Sequence, residues 1–269
     1  MNALEIIGYL ATALVGLSLG LIGSGGSILT IPILVYLFQM PATTATSYSL
    51  VLVGFTALLG AFKKHQNHEV DWKVALFFGL PALLSVYATR RWLLMAIPEY
   101  FTLGPWPVGR DLFLLLLFSV LMVLAALSMM RKNEKPTTSE GRSWSPLAKQ
   151  MAVVAEGGAT GVITGLVGAG GGFLIIPALV VLGKMPIKMA MGTSLAIIAA
   201  KSLVGFAGDL GNPEIHIQYG FLLALLALSG LGMLAGNALA GKIAAEKLKV
   251  GFAWFVLAMA AFILAKELL

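Results

Sequence analysis

The stretch GLIGSGGSILTIP at residues 20–32 places four glycines and two serines between apolar runs. A closely similar stretch, GLVGAGGGFLIIP, occupies residues 165–177. Glycine is unfavourable inside a helix because its backbone loses more conformational freedom on folding than that of any other residue. Its concentration at two matched places in an otherwise apolar chain predicts two built-in interruptions of helical structure.

The composition is that of an integral membrane protein. Of the 269 residues, 59% are hydrophobic and 11% are charged, whereas soluble domains carry about 25% charged residues. Apolar runs of about 20 residues, long enough to span a bilayer, recur along the chain. The absence of cysteine excludes disulfides, thiolate metal sites and thiol redox chemistry. No basic stretch of the signal-peptide type precedes the first apolar run, so we expect that run to remain in the mature protein.

Ten apolar segments predict an all-α polytopic membrane fold. They are residues 4–22, 27–38, 43–62, 72–89, 111–130, 148–168, 172–183, 188–207, 217–241 and 248–268. The second and the seventh have about 12 residues, which gives about 18 Å of helix against a hydrocarbon core of about 30 Å. Each follows a glycine cluster and leads to a proline. We interpret both as halves of broken or re-entrant helices, which leaves about eight to ten membrane segments.

The chain contains an internal repeat. Displacement by 145 residues aligns residues 16–62 with residues 161–207 without a gap, and 19 of the 47 positions are identical. The identical positions include glycines and prolines, which shared hydrophobicity alone explains poorly. We therefore predict an N-terminal repeat over residues 1–130, a polar cytoplasmic linker over 131–147 and a C-terminal repeat over 148–269, which together form one membrane domain.

The distribution of basic residues predicts the orientation. Lysine and arginine concentrate in the cytoplasmic loops of membrane proteins. If all ten segments cross and the linker is cytoplasmic, 13 of the 18 basic residues lie on that side. Arg90 and Arg91 then fall outside, where the neighbouring Trp92 favours an external surface helix or an interfacial belt. Five segments separate each element from its repeat partner, so we expect two inverted repeats with both termini external.

Inverted repeats with interrupted helices are typical of secondary transporters, which bind substrate near the membrane midplane where the broken helices meet. Unwound backbone persists in a membrane only where protein, water or substrate satisfies its polar groups. The half-helices that begin near Ser27 and Phe173 present free N–H groups and a partial positive charge at their N-termini. These features favour an anionic substrate.

Glycines spaced by four residues have a different interpretation. Gly16 with Gly20, and Gly161 with Gly165, fit the small-residue faces on which membrane helices pack closely. A nucleotide site is not expected, because no Gly-Lys-Ser or Gly-Lys-Thr follows either cluster and Phe173 stands where a third Rossmann glycine would be.

The glycine clusters and the residues after them resemble the sulfite exporter TauE/SafE family. That family is recognised by paired GxGGG-like segments that run into an apolar stretch with proline, each followed by a TSL-like helix start. In the second half GAGGG at 168–172 leads through Pro177 to TSL at 193–195. In the first half GSGG at 23–26 leads through Pro32 to YSL at 48–50.

This resemblance covers nearly the whole chain. It implies the transport of small sulfur-containing or carboxylate anions, such as sulfite and sulfoacetate, across the bacterial inner membrane and usually outward. In the first repeat Ser27 replaces the third glycine and Tyr48 replaces the threonine. We therefore expect the two halves to contribute unequally to the site.

The candidate substrate-binding residues come from both clusters and from the helices that follow them. They are Gly23, Ser24, Gly25, Gly26, Ser49, Gly168, Ala169, Gly170, Gly171, Gly172, Thr193, Ser194 and Lys201. The hydroxyls among them can donate to a sulfonate or carboxylate oxygen. The alternative is a bond to a carbonyl one turn earlier in the same helix, which is common for serine and threonine.

Lys201 is a formal charge inside the predicted span 188–207, and an intramembrane ionisable residue is a functional hypothesis by default. Three roles remain open: attraction of the anion, snorkelling of the side chain toward the outer interface, and a buried pair with Asp209. Its repeat equivalent is Thr56, so any role of the charge is confined to one repeat.

His65 and Asp209 are candidates for ion coupling, although both lie at segment ends where solvated charges are common. Histidine titrates near neutral pH. The expected partners are a small anionic substrate, the lipid bilayer and a coupling ion, H⁺ or Na⁺; we expect no nucleic acid, cofactor or bound metal, and a homodimer is one alternative for the oligomeric state. The alternatives to a secondary transporter are an anion channel and, less favoured, an intramembrane enzyme, since His-Glu-x-x-His is absent.

Overall fold

The computed structural model describes residues 3–22, 25–103, 106–130, 146–181, 185–240 and 245–268, and these are predominantly helical. The α-helices within these ranges are α1 (Ala3–Ile22), α2 (Thr30–Pro32), α3 (Ala42–Gln66), α4 (Trp72–Ala88), α5 (Leu94–Ala96), α6 (Arg110–Met130), α7 (Pro146–Val167), α8 (Gly172–Val181), α9 (Ile187–Asp209), α10 (Tyr219–Leu239) and α11 (Ala245–Leu268). Strands β1 (Tyr100–Leu103) and β2 (Trp106–Gly109) form an antiparallel hairpin before α6.

The helices confirm the all-α polytopic fold. Seven helices in the described ranges are long and apolar enough to cross a membrane, and two shorter apolar helices cover Gly26–Leu37 and Met151–Val167. The most buried spans are α3 and α9, whose apolar windows are 78% and 61% buried. These two helices therefore form the centre of the molecule, and the other elements surround them.

Both short segments are interrupted helices, as predicted. The first consists of a 3-10 turn over Gly25–Leu29, the single turn of α2 and a π-helical turn over Ile33–Leu37. The second is α8, whose 10 residues extend about 15 Å, half of a hydrocarbon core of about 30 Å. Neither element alone crosses the membrane as a regular α-helix.

Helices of the two halves pack in matching pairs. Helix α1 packs on α10, and their repeat equivalents, α7 and α4, pack on each other. Helix α3 packs on its own repeat equivalent, α9, and α6 packs on α11. Helices α3 and α9 run antiparallel, because Ser47 near the start of α3 contacts Asp209 at the end of α9, whereas Gly60 faces Leu195. The opposite orientation of the complete repeats stays a prediction, which this antiparallel pair supports.

Glycines allow α1 to pack closely on α10, and α7 to pack closely on α4. A Cβ atom at Gly16 would overlap the backbone of Ser229 in α10, and a Cβ at Gly161 would lie 2.5 Å from the Ala82 oxygen in α4. Only a residue without a side chain permits such close approach of two helices. The packing role predicted for the glycines spaced by four residues is confirmed.

Arg90 does not lie on an external surface helix, and that expectation was wrong. Helix α4 continues through a π-helical turn over Thr89–Leu93 into α5, so that Trp72–Ala96 forms one candidate span. No glycine or proline interrupts residues 82–97, so nothing in the sequence ends the helix at the arginine. The Arg90 side chain is fully buried inside the protein.

Candidate functional site

The cluster at residues 168–172, which we call the glycine turn, has a left-handed backbone. Gly168, Gly170 and Gly171 have φ angles of +73°, +66° and +66°, values that residues with side chains rarely adopt. The Gly171 N–H donates to the Ala169 oxygen at 2.7 Å. Among the described residues, the N–H groups of Gly170 and Gly172 donate no hydrogen bond. Free amides at the N-terminus of a helix such as α8 are suited to donate to an anion.

The glycine turn faces the first repeat. Ser49 in α3 donates a hydrogen bond to the Gly168 oxygen at 2.8 Å, which fixes the turn to the central helix. A Cβ at Gly170 would lie 2.5 Å from Val53 Cγ1 and 3.4 Å from the Cβ of Ser27, a residue of the first glycine motif. The structure therefore brings the two motifs together beside α3.

Lys201 packs against the glycine turn. Its side chain is 1% exposed, and its Nζ donates to Thr164 Oγ1 at 2.9 Å. A Cβ at Gly171 would lie 2.9 Å from the same nitrogen. Thr164 has already used its own hydrogen in a 2.7 Å bond to the Thr160 oxygen, so it presents a lone pair to the ammonium group.

Two of the three roles left open for Lys201 are thereby removed. Snorkelling is wrong, because the nitrogen is buried against the glycine turn. A pair with Asp209 is also wrong, because Asp209 is engaged by Arg90 instead. Among the residues that the structure describes, no carboxylate forms an ion pair with Lys201.

Arg90 is the charged residue that the sequence analysis missed. Its Nη1 donates to Thr46 Oγ1 at 3.0 Å and lies 3.6 Å from Asp209 Oδ2, which also accepts from Ser47 at 2.6 Å. The Nε and Nη2 atoms of Arg90 and the Oδ1 atom of Asp209 are buried without a hydrogen-bond partner. Arg90 lies in a π-helical turn, an irregularity that is frequent at functional sites.

Thr46 connects this ion pair to the glycine turn. A Cβ at Gly168 would lie 2.7 Å from the Thr46 oxygen, so the residue that accepts from Arg90 also packs on the turn. Arg90 is thus linked to the turn through Thr46, and Lys201 lies against Gly171 of the same turn. With Asp209 as the single buried carboxylate of this group, the formal charge is one net positive unit.

Thr193 and Ser194 are not brought to the glycine turn. Thr193 Oγ1 accepts the N–H of Asp71 at 2.9 Å, at the start of α4. Ser194 Oγ donates to the Met191 oxygen at 2.9 Å within its own helix. Both residues lie on α9 about 10–12 Å from Lys201, counted along the helix axis.

Thr193 and its repeat equivalent, Tyr48, share a structural role. Tyr48 Oη accepts the N–H of Gln218 at 2.6 Å, at the start of α10, just as Thr193 accepts that of Asp71 at the start of α4. Each hydroxyl satisfies a backbone donor at a helix N-terminus of the opposite half. The departure of the first repeat from the TSL pattern therefore preserves the contact.

The other predicted residues have separate surroundings. Gly25 and Gly26 belong to the 3-10 turn, and a Cβ at Gly26 would lie 2.8 Å from the Leu19 nitrogen, which ties the turn closely to α1. His65 is exposed and accepts a hydrogen bond from Trp72 Nε1 at 3.3 Å. Gly23 and Ser24 lie outside the described residues.

A multi-pass helical protein with interrupted helices that meet beside buried charges has the architecture of a membrane transporter. The chain belongs to the sulfite exporter TauE/SafE family, whose model matches residues 9–263. It is 31% identical to a probable membrane transporter protein of Xylella fastidiosa, over 93% of this chain and 91% of that protein. It is also 28% identical to the probable membrane transporter protein YdhB of Bacillus subtilis, over 83% and 85% of the two chains.

An archaeal relative extends the comparison: the probable membrane transporter protein MJ0441 of Methanocaldococcus jannaschii is 26% identical over 84% of this chain and 79% of that protein. No solved structure matches the chain at a significant level. The family and its relatives identify a membrane transporter rather than an enzyme, and the seven long apolar helices make it a multi-pass inner-membrane protein.

Proposed function

We propose that the protein is a secondary transporter that exports small organosulfur or carboxylate anions such as sulfite or sulfoacetate. The observation that carries this proposal is Lys201, a fully buried ammonium that has a neutral threonine and the glycine turn as neighbours. A buried charge without a counter-charge is costly in a low-dielectric interior. An anion bound at the turn removes that cost and gains a charge-assisted hydrogen bond.

The glycine turn and Lys201 supply complementary parts of the site. The free amides of Gly170 and Gly172 donate to the oxygens of a sulfonate, sulfite or carboxylate, and the ammonium group of Lys201 balances the negative charge. Ser49 acts indirectly, since its hydroxyl is engaged with the Gly168 oxygen and holds the turn in place. Arg90 and Asp209 add a second, paired centre, which is linked to the turn through Thr46.

The arrangement of the two halves supports transport by alternating access. The glycine turn belongs to the second repeat, and its neighbours Ser27 and Val53 belong to the first. A relative displacement of the two halves opens the turn to one side of the membrane and then to the other. Opposite orientation of the repeats makes the two openings equivalent, and the antiparallel packing of α3 on α9 supports that orientation.

Binding and flux measurements test the proposal. Sulfite, sulfoacetate and small carboxylates are screened for an increase in the unfolding temperature of the purified protein, because a ligand that binds only the folded state stabilises it. Anions that bind are then followed as radiolabelled substrates in proteoliposomes. We expect saturable flux with exchange across the membrane. Flux that does not saturate indicates an anion channel, and vesicles inert toward the whole panel refute transport of these anions.

A further inference from the structure

The ion pair of Arg90 and Asp209 is buried and incompletely satisfied. Asp209 is the only buried carboxylate among the described residues. Arg90 Nη1 lies 3.6 Å from Asp209 Oδ2, farther than the about 2.7–2.9 Å of a charge-assisted hydrogen bond. Arg90 Nε, Arg90 Nη2 and Asp209 Oδ1 have no hydrogen-bond partner within the described part of the chain. Both members of the pair therefore keep bonding capacity for a ligand.

The free donors of Arg90 suit a second anionic group of the substrate. A guanidinium presents its N–H donors in a planar fork that matches a carboxylate. Only Nη1 is engaged, in a 3.0 Å bond to Thr46 Oγ1. Thr46 also packs on Gly168 of the glycine turn, so a single residue separates the guanidinium from the turn. A substrate with two anionic groups, such as sulfoacetate, can place one group beside Lys201 and the other at Arg90.

Asp209 has an oxygen that is free to take up a proton. Its Oδ2 atom accepts from Ser47 Oγ at 2.6 Å, whereas Oδ1 is unpartnered. When an anionic group of the substrate binds Arg90, two anionic groups share one guanidinium, and one buried negative charge is left without a partner. A proton on Oδ1 removes that charge and provides an O–H that can donate to the substrate.

The other charged groups around Asp209 do not take this role. The elements packed on α9 are α3, α4, α8 and the π-helical turn over Thr89–Leu93, and α8 contains no titratable residue. Titratable residues of the remaining elements and of the adjoining α6 and loop that lie toward the end of α9 are Arg90, Arg91, Tyr48, Tyr87, Arg110, Asp111 and Glu214. Those at the opposite ends of α3 and α4 are Lys63, Lys64, His65 and Lys73.

Two further carboxylates belong to the near group, and both are engaged elsewhere. Asp111 accepts the N–H and the hydroxyl of Thr43 at the start of α3, and Glu214 pairs with Arg110. Lys201 lies about 12 Å before Asp209 along the axis of α9. Asp209 is thus the carboxylate whose protonation compensates an anion bound at Arg90.

We propose that Asp209 binds one proton when a dianion occupies the site, so that substrate and proton are transported together. This inference rests on the proposed transport function. The proton comes from the water on the side where the substrate enters, converts the Asp209 carboxylate to the acid, and leaves with the substrate. Without an anion the same proton would add to the uncompensated charge of Lys201, so it binds only together with the substrate.

Proton uptake by the full chain in detergent tests this coupling. Sulfoacetate is added to the purified protein in a weakly buffered solution that contains a pH indicator. The carboxylate and sulfonate groups of the ligand are already ionised at about pH 7, so the protein binds any proton that leaves the solution. We expect about one proton per bound sulfoacetate and an affinity that rises about tenfold for each unit decrease in pH. Acetate and methanesulfonate, which each carry one of the two anionic groups, are expected to cause no uptake.

The variant Arg90→Met/Asp209→Asn removes both charges together, so that neither partner is left as an unpaired buried charge. It is expected to bind sulfoacetate without proton uptake. Glu214→Gln is the matched control, because Glu214 is also a carboxylate paired with an arginine, but its side chain is half exposed in the loop after α9. This control is expected to keep the full uptake.

The outcomes separate the coupling from the transport function. Binding of sulfoacetate to the unmodified protein without proton uptake overturns the coupling and leaves the proposed transport function standing. Uptake of undiminished size in the double variant also overturns it, because another group then carries the proton. A protein that binds none of these anions refutes the proposed substrates, and the coupling with them.

Discussion

Replacement of Lys201 by methionine removes the buried ammonium and keeps a side chain of similar length. A hydrogen bond to a charged group contributes about 1.5–3 kcal/mol, and each 1.4 kcal/mol corresponds to about a factor of ten in affinity. Lys201→Met is therefore expected to weaken the binding of sulfite or sulfoacetate by roughly 10- to 100-fold. The effect is local, since Thr164 is the hydrogen-bond partner of the lysine and keeps its own bond to Thr160.

The same substitution has an opposite effect on the protein without ligand. A buried cation without a counter-charge costs free energy, and an apolar side chain of similar volume in its place is neutral or stabilising. The unfolding temperature of Lys201→Met without anion is thus expected to equal or exceed that of the unmodified protein. Weaker binding together with undiminished stability separates a ligand contact from a structural role.

The assay is the anion dependence of the unfolding temperature, from which a Kd is obtained for each variant. Lys188→Met is the matched control, because Lys188 is an exposed residue in the first turn of the same helix. It is expected to change the affinity by less than about twofold, since exposed charges contribute little. Unchanged affinity in Lys201→Met, or an equal loss in Lys188→Met, would refute the assignment of the ammonium group to the site.

Three further substitutions test the glycine turn, its hydrogen bond and the buried ion pair. Gly170→Ala forces a side chain onto a φ of +66° against α3 and is expected to lower tracer flux at least about tenfold, whereas Gly220→Ala, which meets nothing within 4 Å, keeps normal flux. Ser49→Ala is expected to lower the unfolding temperature by about 2–4 °C, and Ser194→Ala, whose bond stays within one helix, by less; equal shifts contradict this. Asp209→Asn leaves its arginine partner unpaired and is expected to destabilise the fold by about 3–5 kcal/mol, so an unchanged unfolding temperature contradicts the ion pair.

Features with local causes could be predicted from the sequence. The glycine clusters predict the interruptions because few other residues adopt a φ near +66° at Gly170 and Gly171. The spacing of Gly16 and Gly20 predicts a packing face because residues four apart lie on one side of a helix. Both inferences need only the neighbouring residues, and both are confirmed in the structure.

The environment of Arg90 could not be read from its neighbours. Arg90 is fully buried, whereas Arg91 and Trp92, the next two residues, are exposed. Successive residues of a helix point in directions about 100° apart, so a basic pair beside a tryptophan can place one cation inside and the other at the surface. The signal available in the sequence was the absence of glycine and proline from residues 82–97, which predicts a helix that continues through the arginine.

The hydrogen-bond and ion-pair partners of the buried polar groups could not be predicted from the sequence either. Asp209 pairs with a residue 119 positions earlier in the chain, and Lys201 bonds to Thr164, 37 positions earlier. Such contacts depend on which helices become neighbours, and that is decided by packing over the whole molecule. The family motif has the same limitation. It includes Thr193, but in the structure the Thr193 hydroxyl accepts a hydrogen bond from the Asp71 N–H at the N-terminus of α4.

The buried charges limit the charge of the substrate that the proposed site can hold. Lys201, Arg90 and Asp209 together carry one net positive formal charge. A monovalent anion cancels that charge, whereas a dianion such as sulfoacetate, with an ionised sulfonate and an ionised carboxylate, leaves one net negative charge. Because uncompensated charge is costly in a membrane interior, the coupling ion expected from the sequence, H⁺ or Na⁺, should strengthen the binding of dianions more than that of monoanions. Affinities for sulfoacetate and acetate that respond equally to sodium and to pH would contradict this coupling.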